Sequence, residues 1–218
     1  MKESAVSGPY LPIIASVLAS AIAVPAYAAA GDLWLRVGAS AMDPGTESES
    51  FTSISRSEVR LDSGATLSAA AAWFVTDYAA LEISSSLPYN SDLEGNRRLK
   101  DLGLGKFGYV KFLPTYLTLN FYFNDSSAVT PYLGGGIAFN KFYDEQASPA
   151  GLDVNLDSTF DPTVVAGVNM DFGAPVVVNF DVRYTPLDTD ATFSGAIDQT
   201  VEMEIDPAVF TLGVGYRF

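Results

Sequence analysis

Glu82 and Asp181 are the pair in this chain best suited by type to move a proton, because the sequence has no histidine and no cysteine. Acid–base and nucleophilic catalysis usually lean on histidine, or on a serine or cysteine that histidine activates. Without one, a carboxylate pair is what remains. Arginines are expected at the same level, Arg36 and Arg183, and they turn such a pair toward a structural ion cluster. Gly103, Gly105 and Gly108 have dinucleotide-fingerprint spacing, but that motif needs a strand before it and a helix after it. Here a strand follows, so no nucleotide site is expected. Asp188, Asp190, Asp198, Glu202, Glu204 and Asp206 offer oxygen ligands without the spacing of a calcium loop; a solvated acidic rim is expected, with cation bridging to neighbouring phosphates as the sharper alternative. The net charge of −14 excludes a nucleic-acid surface, which must be basic.

The elements that must hold these groups are strands. Side chains on a strand alternate between two faces, and eight alternating segments fall near 32–42, 64–75, 79–88, 109–123, 130–143, 162–172, 176–187 and 206–218. Their connections alternate between short (Thr76-Asp77-Tyr78, 124–129, Gly173-Ala174-Pro175) and long (43–61, 89–108, 144–161, 188–205). Three tight turns at one end and four long loops at the other predict an all-β, eight-stranded antiparallel up-and-down transmembrane barrel, with its turns in the periplasm. Gly134-Gly135-Gly136 is read as a place where a strand bends or packs closely.

The last strand carries Phe210, Leu212, Val214, Tyr216 and Phe218 on one face. Thr211, Gly213, Gly215 and Arg217 lie on the other. It resembles the terminal strand of bacterial outer-membrane barrels, in which Tyr216 and Phe218 would be the signal that the barrel-assembly machinery reads. Residues 1–28 read as a secretory signal peptide: a short apolar run, Ile13 to Val24, then Ala26-Tyr27-Ala28 before the cleavage point. The run is shorter than the roughly 18–20 residues of a membrane helix. Residues 29–218 form the barrel domain. With no cysteine, the closed hydrogen-bonded wall has to stabilise it without disulfides.

A soluble lipocalin-like barrel alternates equally well, with its apolar face inward. Against it, the strands near 162–172 and 176–187 oppose Val164, Ala166, Val168, Met170, Phe172 and Val176, Val178, Phe180, Val182, Tyr184 to Asn169, Asp171, Asn179, Asp181 and Arg183. With the apolar face toward lipid, Lys141 alone violates the rule, at a strand end where it can snorkel. Eight strands leave a lumen that side chains can fill. Toward the periplasm it holds Arg36, Glu82, Asn169, Asp171, Asp181, Arg183 and Arg217, whose charges must pair. Toward the outside it holds Phe112, Tyr116, Phe142, Val165 and Val209. The expectation is a polar plug below an apolar cup, against simple lumen filling.

Several stretches together resemble the OmpW family of small outer-membrane barrels: Leu113-Pro114-Thr115 with Phe121-Tyr122-Phe123; Pro131-Tyr132-Leu133-Gly134-Gly135-Gly136-Ile137; Ala150-Gly151-Leu152; Val178-Asn179 with Leu187-Asp188-Thr189-Asp190; and Ile205-Asp206-Pro207 through Gly215-Tyr216-Arg217-Phe218. They occur in order across the mature chain. The resemblance implies a bacterial outer-membrane protein with a hydrophobic pocket opening outward, and passive uptake of small hydrophobic molecules that leave through the barrel wall. Family members can carry bulky apolar residues in the mid-lumen where this chain has Ser84 and Arg183. That substitution implies a more polar floor. No cofactor, metal or catalytic residue is implied. The partners implied are outer-membrane lipid, lipopolysaccharide and small hydrophobic solutes, around a monomer. The alternative function is a non-transporting structural or surface-receptor barrel that acts through its extracellular loops.

Overall fold

The computed structural model of the chain describes residues 29–45, 47–48, 57–61, 63–97, 106–123, 128–147, 152–172, 175–195 and 199–218. The expected signal peptide, Asp198, Gly103 and Gly105 lie outside the described residues. The strands are β1 Leu33–Asp43, β2 Glu47–Ser48, β3 Ser57–Leu61, β4 Gly64–Thr76, β5 Ala79–Ser86, β6 Tyr89–Arg97, β7 Lys106–Tyr122, β8 Val129–Ala147, β9 Leu152–Leu156, β10 Thr159–Asp171, β11 Val176–Tyr184, β12 Leu187–Gly195, β13 Gln199–Ile205 and β14 Ala208–Arg217.

Eight of them close a ring in the order β1, β4, β5, β7, β8, β10, β11, β14 and back to β1, every neighbour antiparallel. These are the eight segments that alternation predicts. The outer face is apolar and open: Trp73, Ile137 and Leu212 are each more than half exposed. Glu82, Asn120, Asp181 and Arg183 are buried in the lumen. A soluble barrel has the reverse arrangement, so the wall is built for lipid. Closure removes sheet edges, and every ring strand is hydrogen-bonded on both sides. At the turn end, Gly31 N donates to Phe74 O (2.8 Å) and Phe218 N to Leu33 O (2.9 Å), which brings the two ends of the described chain together. The glycine triplet permits close strand approach: a side-chain carbon at Gly136 would collide with Leu117 O, and one at Gly134 with the Asn120 amide.

The long connections differ from the loops expected, because they contain strands. β6 pairs with the upper part of β7, and β3 pairs with β6. β2, β13, β12 and β9 make a separate four-stranded sheet. The wall therefore continues outward as two sheets, with no ladder between them among the described residues. β12 shows why composition hid this. Leu187, Thr189 and Ala191 are buried while Asp188 and Asp190 are exposed, so the alternation persists, but the outer face meets water and is acidic. β8 likewise runs on to Ala147, which places Lys141 inside a strand and not at its end; its Nζ lies 5.8 Å from the Tyr143 ring centroid.

Candidate functional site

Inward positions on six ring strands meet in one charged cluster. Glu82, fully buried on β5, receives Arg36 Nη2 from β1 and Asn120 Nδ2 from β7 (3.0 Å) on one oxygen. Its other oxygen accepts from Arg183 Nη2 of β11 at 2.5 Å. Arg183 Nε lies 3.3 Å from Asp181 Oδ1, and Tyr132 of β8 donates to Asp181 Oδ2 at 3.1 Å. With its amide nitrogen turned to Asp181 Oδ2 (2.9 Å), Asn179 accepts from Arg36 Nη1 at 3.2 Å and also meets Asn169 of β10. Two arginines and two carboxylates sum to zero charge, which makes their burial tolerable. Both carboxylates are paired with arginines.

A second layer lies below. Arg217 pairs with Asp171, and its guanidinium sits 5.2 Å over the Trp34 ring. From Trp34 a run of rings crosses the lumen, with centroids 4.6 Å apart to Phe74, 4.9 Å on to Tyr122 and 5.0 Å on to Tyr132. The three arginines and three carboxylates expected in one plug thus separate into a four-residue cluster and one pair, joined by aromatics. Trp34, Phe74, Tyr122 and Tyr132 are not among the lumen residues expected from the sequence. The signal was available: Trp34 shares the face of Arg36, and Tyr122 that of Asn120, each two residues away.

Above the cluster, Phe112 and Phe142 face each other across the β7–β8 ladder with centroids 5.0 Å apart, and Tyr89 lies 6.3 Å from Phe112. Tyr116 lies lower than this pair, its ring face 5.2 Å from the Arg183 guanidinium carbon. Val209 is the register partner of Arg183. Val165 is grouped elsewhere, with Trp34, Phe74, Tyr122, Tyr132 and Val177, because strand tilt sets residues of similar sequence height at different depths. Tyr89 and the fully buried Val110 join the upper lumen; Tyr89 falls in the expected long connection 89–108 and instead opens β6. Beside the cluster lies a small cavity of about 30 Å³, with Ser40, Ser84, Tyr89, Tyr116 and Arg183 in its walls; Phe112 and Phe142 do not line it. Among the described residues no group of three or more acidic side chains forms a metal site.

The family model that fits this barrel is that of the OmpW family, matched over residues 29–218. The chain belongs to the OmpW family. Outer membrane protein W of Vibrio cholerae serotype O1 is 28% identical over 212 residues, covering 93% of this chain and 96% of that protein. The dibenzothiophene metabolism operon protein PahQ of Pseudomonas aeruginosa is 26% identical over 138 residues, 61% of each chain. The crystal structure of OprG from Pseudomonas aeruginosa superposes with a TM-score of 0.80 at 25% identity, covering 88% of this chain and 98% of that one. This OmpW-family barrel resides in the bacterial outer membrane, where its relatives are named as outer-membrane proteins.

Proposed function

We propose that this barrel admits small hydrophobic molecules passively from outside, through a pocket lined by Phe112, Phe142, Tyr116 and Val209. The observation that carries the reading is vertical order: paired aromatics above, and below them a floor closed by Glu82, Arg36, Arg183, Asp181 and the Trp34–Tyr132 ring stack. A solute that enters the aromatic cup meets that floor. Exit in this reading is sideways, through the barrel wall above the floor, into lipid. PahQ, named for a polyaromatic sulfur heterocycle's metabolism operon, is consistent with this class of solute. In this reading the barrel is monomeric, surrounded by lipid and lipopolysaccharide, and is inserted by the assembly machinery through the Tyr216–Phe218 end.

The test is naphthalene uptake by cells that lack their own OmpW-like barrel, comparing this chain with its F112D/F142D form at equal folded levels. Faster uptake that the double substitution abolishes supports the pocket. Uptake no faster than in empty-vector cells removes this solute class and turns attention to the outer sheets as a binding surface.

A further inference from the structure

The cavity between floor and cup is walled largely by apolar surface, yet it carries buried polar atoms that a hydrocarbon cannot satisfy. Five buried polar atoms of its lining residues have no hydrogen-bond partner, Ser84 Oγ, Ser86 Oγ, Tyr89 Oη, Asp181 Oδ1 and Arg183 Nη1, and two of them, Ser84 Oγ on β5 and Arg183 Nη1 on β11, belong to the floor level. Arg183 is otherwise fully engaged, with Nη2 on Glu82 and Nε beside Asp181. A guanidinium only donates, so whatever meets Nη1 has to accept; a serine hydroxyl can do either. Ser40 lies nearby in the same wall but is already satisfied by Ser68 (2.7 Å) and Thr211 (3.0 Å). The unmet donors and acceptors of this wall thus belong to Ser84, Ser86, Tyr89, Asp181 and Arg183, and Arg183 Nη1 is the one that can only donate.

We infer that Ser84 and Arg183 form a head-group subsite, and that the preferred solutes are small amphiphiles: an apolar body in the aromatic cup and one neutral oxygen pointing down. This rests on the uptake reading above and sharpens it. Water can serve such groups in the resting barrel, and a hydrocarbon that displaces it leaves them unmet, whereas an alcohol, phenol or ketone oxygen replaces the lost bonds. A neutral oxygen is favoured over a carboxylate on two grounds. The adjacent charges, Arg36, Arg183, Glu82 and Asp181, already cancel, so an anion would add an uncompensated buried charge. The chain also carries a net −14, and that field opposes an incoming anion.

The experiment is equilibrium binding of naphthalene, 1-naphthol and 1-naphthoate to the purified, folded full-length barrel in lipid nanodiscs, read by ligand fluorescence. The wild type is expected to favour 1-naphthol over naphthalene by about tenfold, with 1-naphthoate weaker than 1-naphthol. S84A is expected to cut the naphthol preference several-fold, and S84T, which keeps the hydroxyl, to retain it. Heat-modified gel mobility verifies that each variant is folded. Equal naphthol and naphthalene affinities in the wild type, or a preference unchanged in folded S84A, would overturn the subsite. Tighter naphthoate than naphthol would overturn the neutral head. If naphthol binds with the expected preference while cells take up neither compound, the uptake reading fails and the subsite stands.

Discussion

The ring of Tyr132 lies where the side chain of residue 167 would otherwise be: a Cβ at Gly167 would sit 2.5 Å from Tyr132 Cζ and 2.6 Å from its hydroxyl oxygen. The two are register partners across β8 and β10. Glycine at 167 is what lets Tyr132 lie flat against the wall, close the ring stack and still reach Asp181.

G167A is therefore expected to push Tyr132 off its seat and cost about 1–3 kcal/mol through overpacking. It should also weaken the Tyr132–Asp181 hydrogen bond. Urea unfolding in lipid vesicles measures the first effect and single-channel recording the second. Wild-type stability together with a wild-type closed lumen would show that the tyrosine does not depend on that space.

E82Q keeps the shape of Glu82 but leaves Arg36 and Arg183 without their shared carboxylate. Losing one partner of a buried cluster costs about 3–5 kcal/mol. The expected result is a large drop in the urea midpoint at an unchanged slope, with higher ion conductance as the floor loosens. A midpoint shift worth less than about 0.5 kcal/mol, the range of an ordinary surface substitution, would mean that Glu82 does not hold the floor.

The sidedness of the wall makes its own prediction. Leu212 is 58% exposed on the outer face of β14. L212R should cost about 2–4 kcal/mol if that face meets the bilayer interior. D188R, on the water-facing side of β12, should change stability by about 0.5 kcal/mol or less. Equal, small effects of the two would argue against lipid at Leu212.

At the turn end, Arg217 pairs with Asp171 and stacks on Trp34. A double-mutant cycle with R217A and D171A isolates their coupling, expected at about 0.5–3 kcal/mol since both are largely but not wholly buried. W34A added to R217A should cost less than W34A alone, because the stacking partner is already gone. Strict additivity would count against both contacts.

How much of this was legible in the sequence depended on what lay on the other side of the wall. Where the outer face meets lipid, as at Phe210, Leu212 and Val214, the two faces differ so sharply that strand limits can be read almost residue by residue. Above the bilayer the same alternation continues, yet Asp188 and Asp190 occupy the outer positions and look like loop acids. The charged floor was legible because charge on an inward face has few explanations. Its aromatic underlayer was not: Trp34, Phe74 and Tyr132 on the polar side break the simple rule, and only the fold shows that Gly167 makes room for one of them. Val165 shows a second limit, because sequence order gives height along a strand but not the shear between strands.

The shared carboxylate of Glu82 also bears on how the barrel is made. Its two arginines come from points 46 and 101 residues away: Arg36 two strands along the wall on β1, Arg183 across the lumen on β11. A sheet that has not joined β1 to β14 can keep Arg36 beside Glu82, but it leaves the Glu82–Arg183 contact across the lumen open, and a charge short of a partner in hydrocarbon is expensive. That contact across the lumen arrives with the closed ring. The floor thus rewards completion over every partly zipped form, and the electrostatics of a resting protein become a proofreading step in its birth.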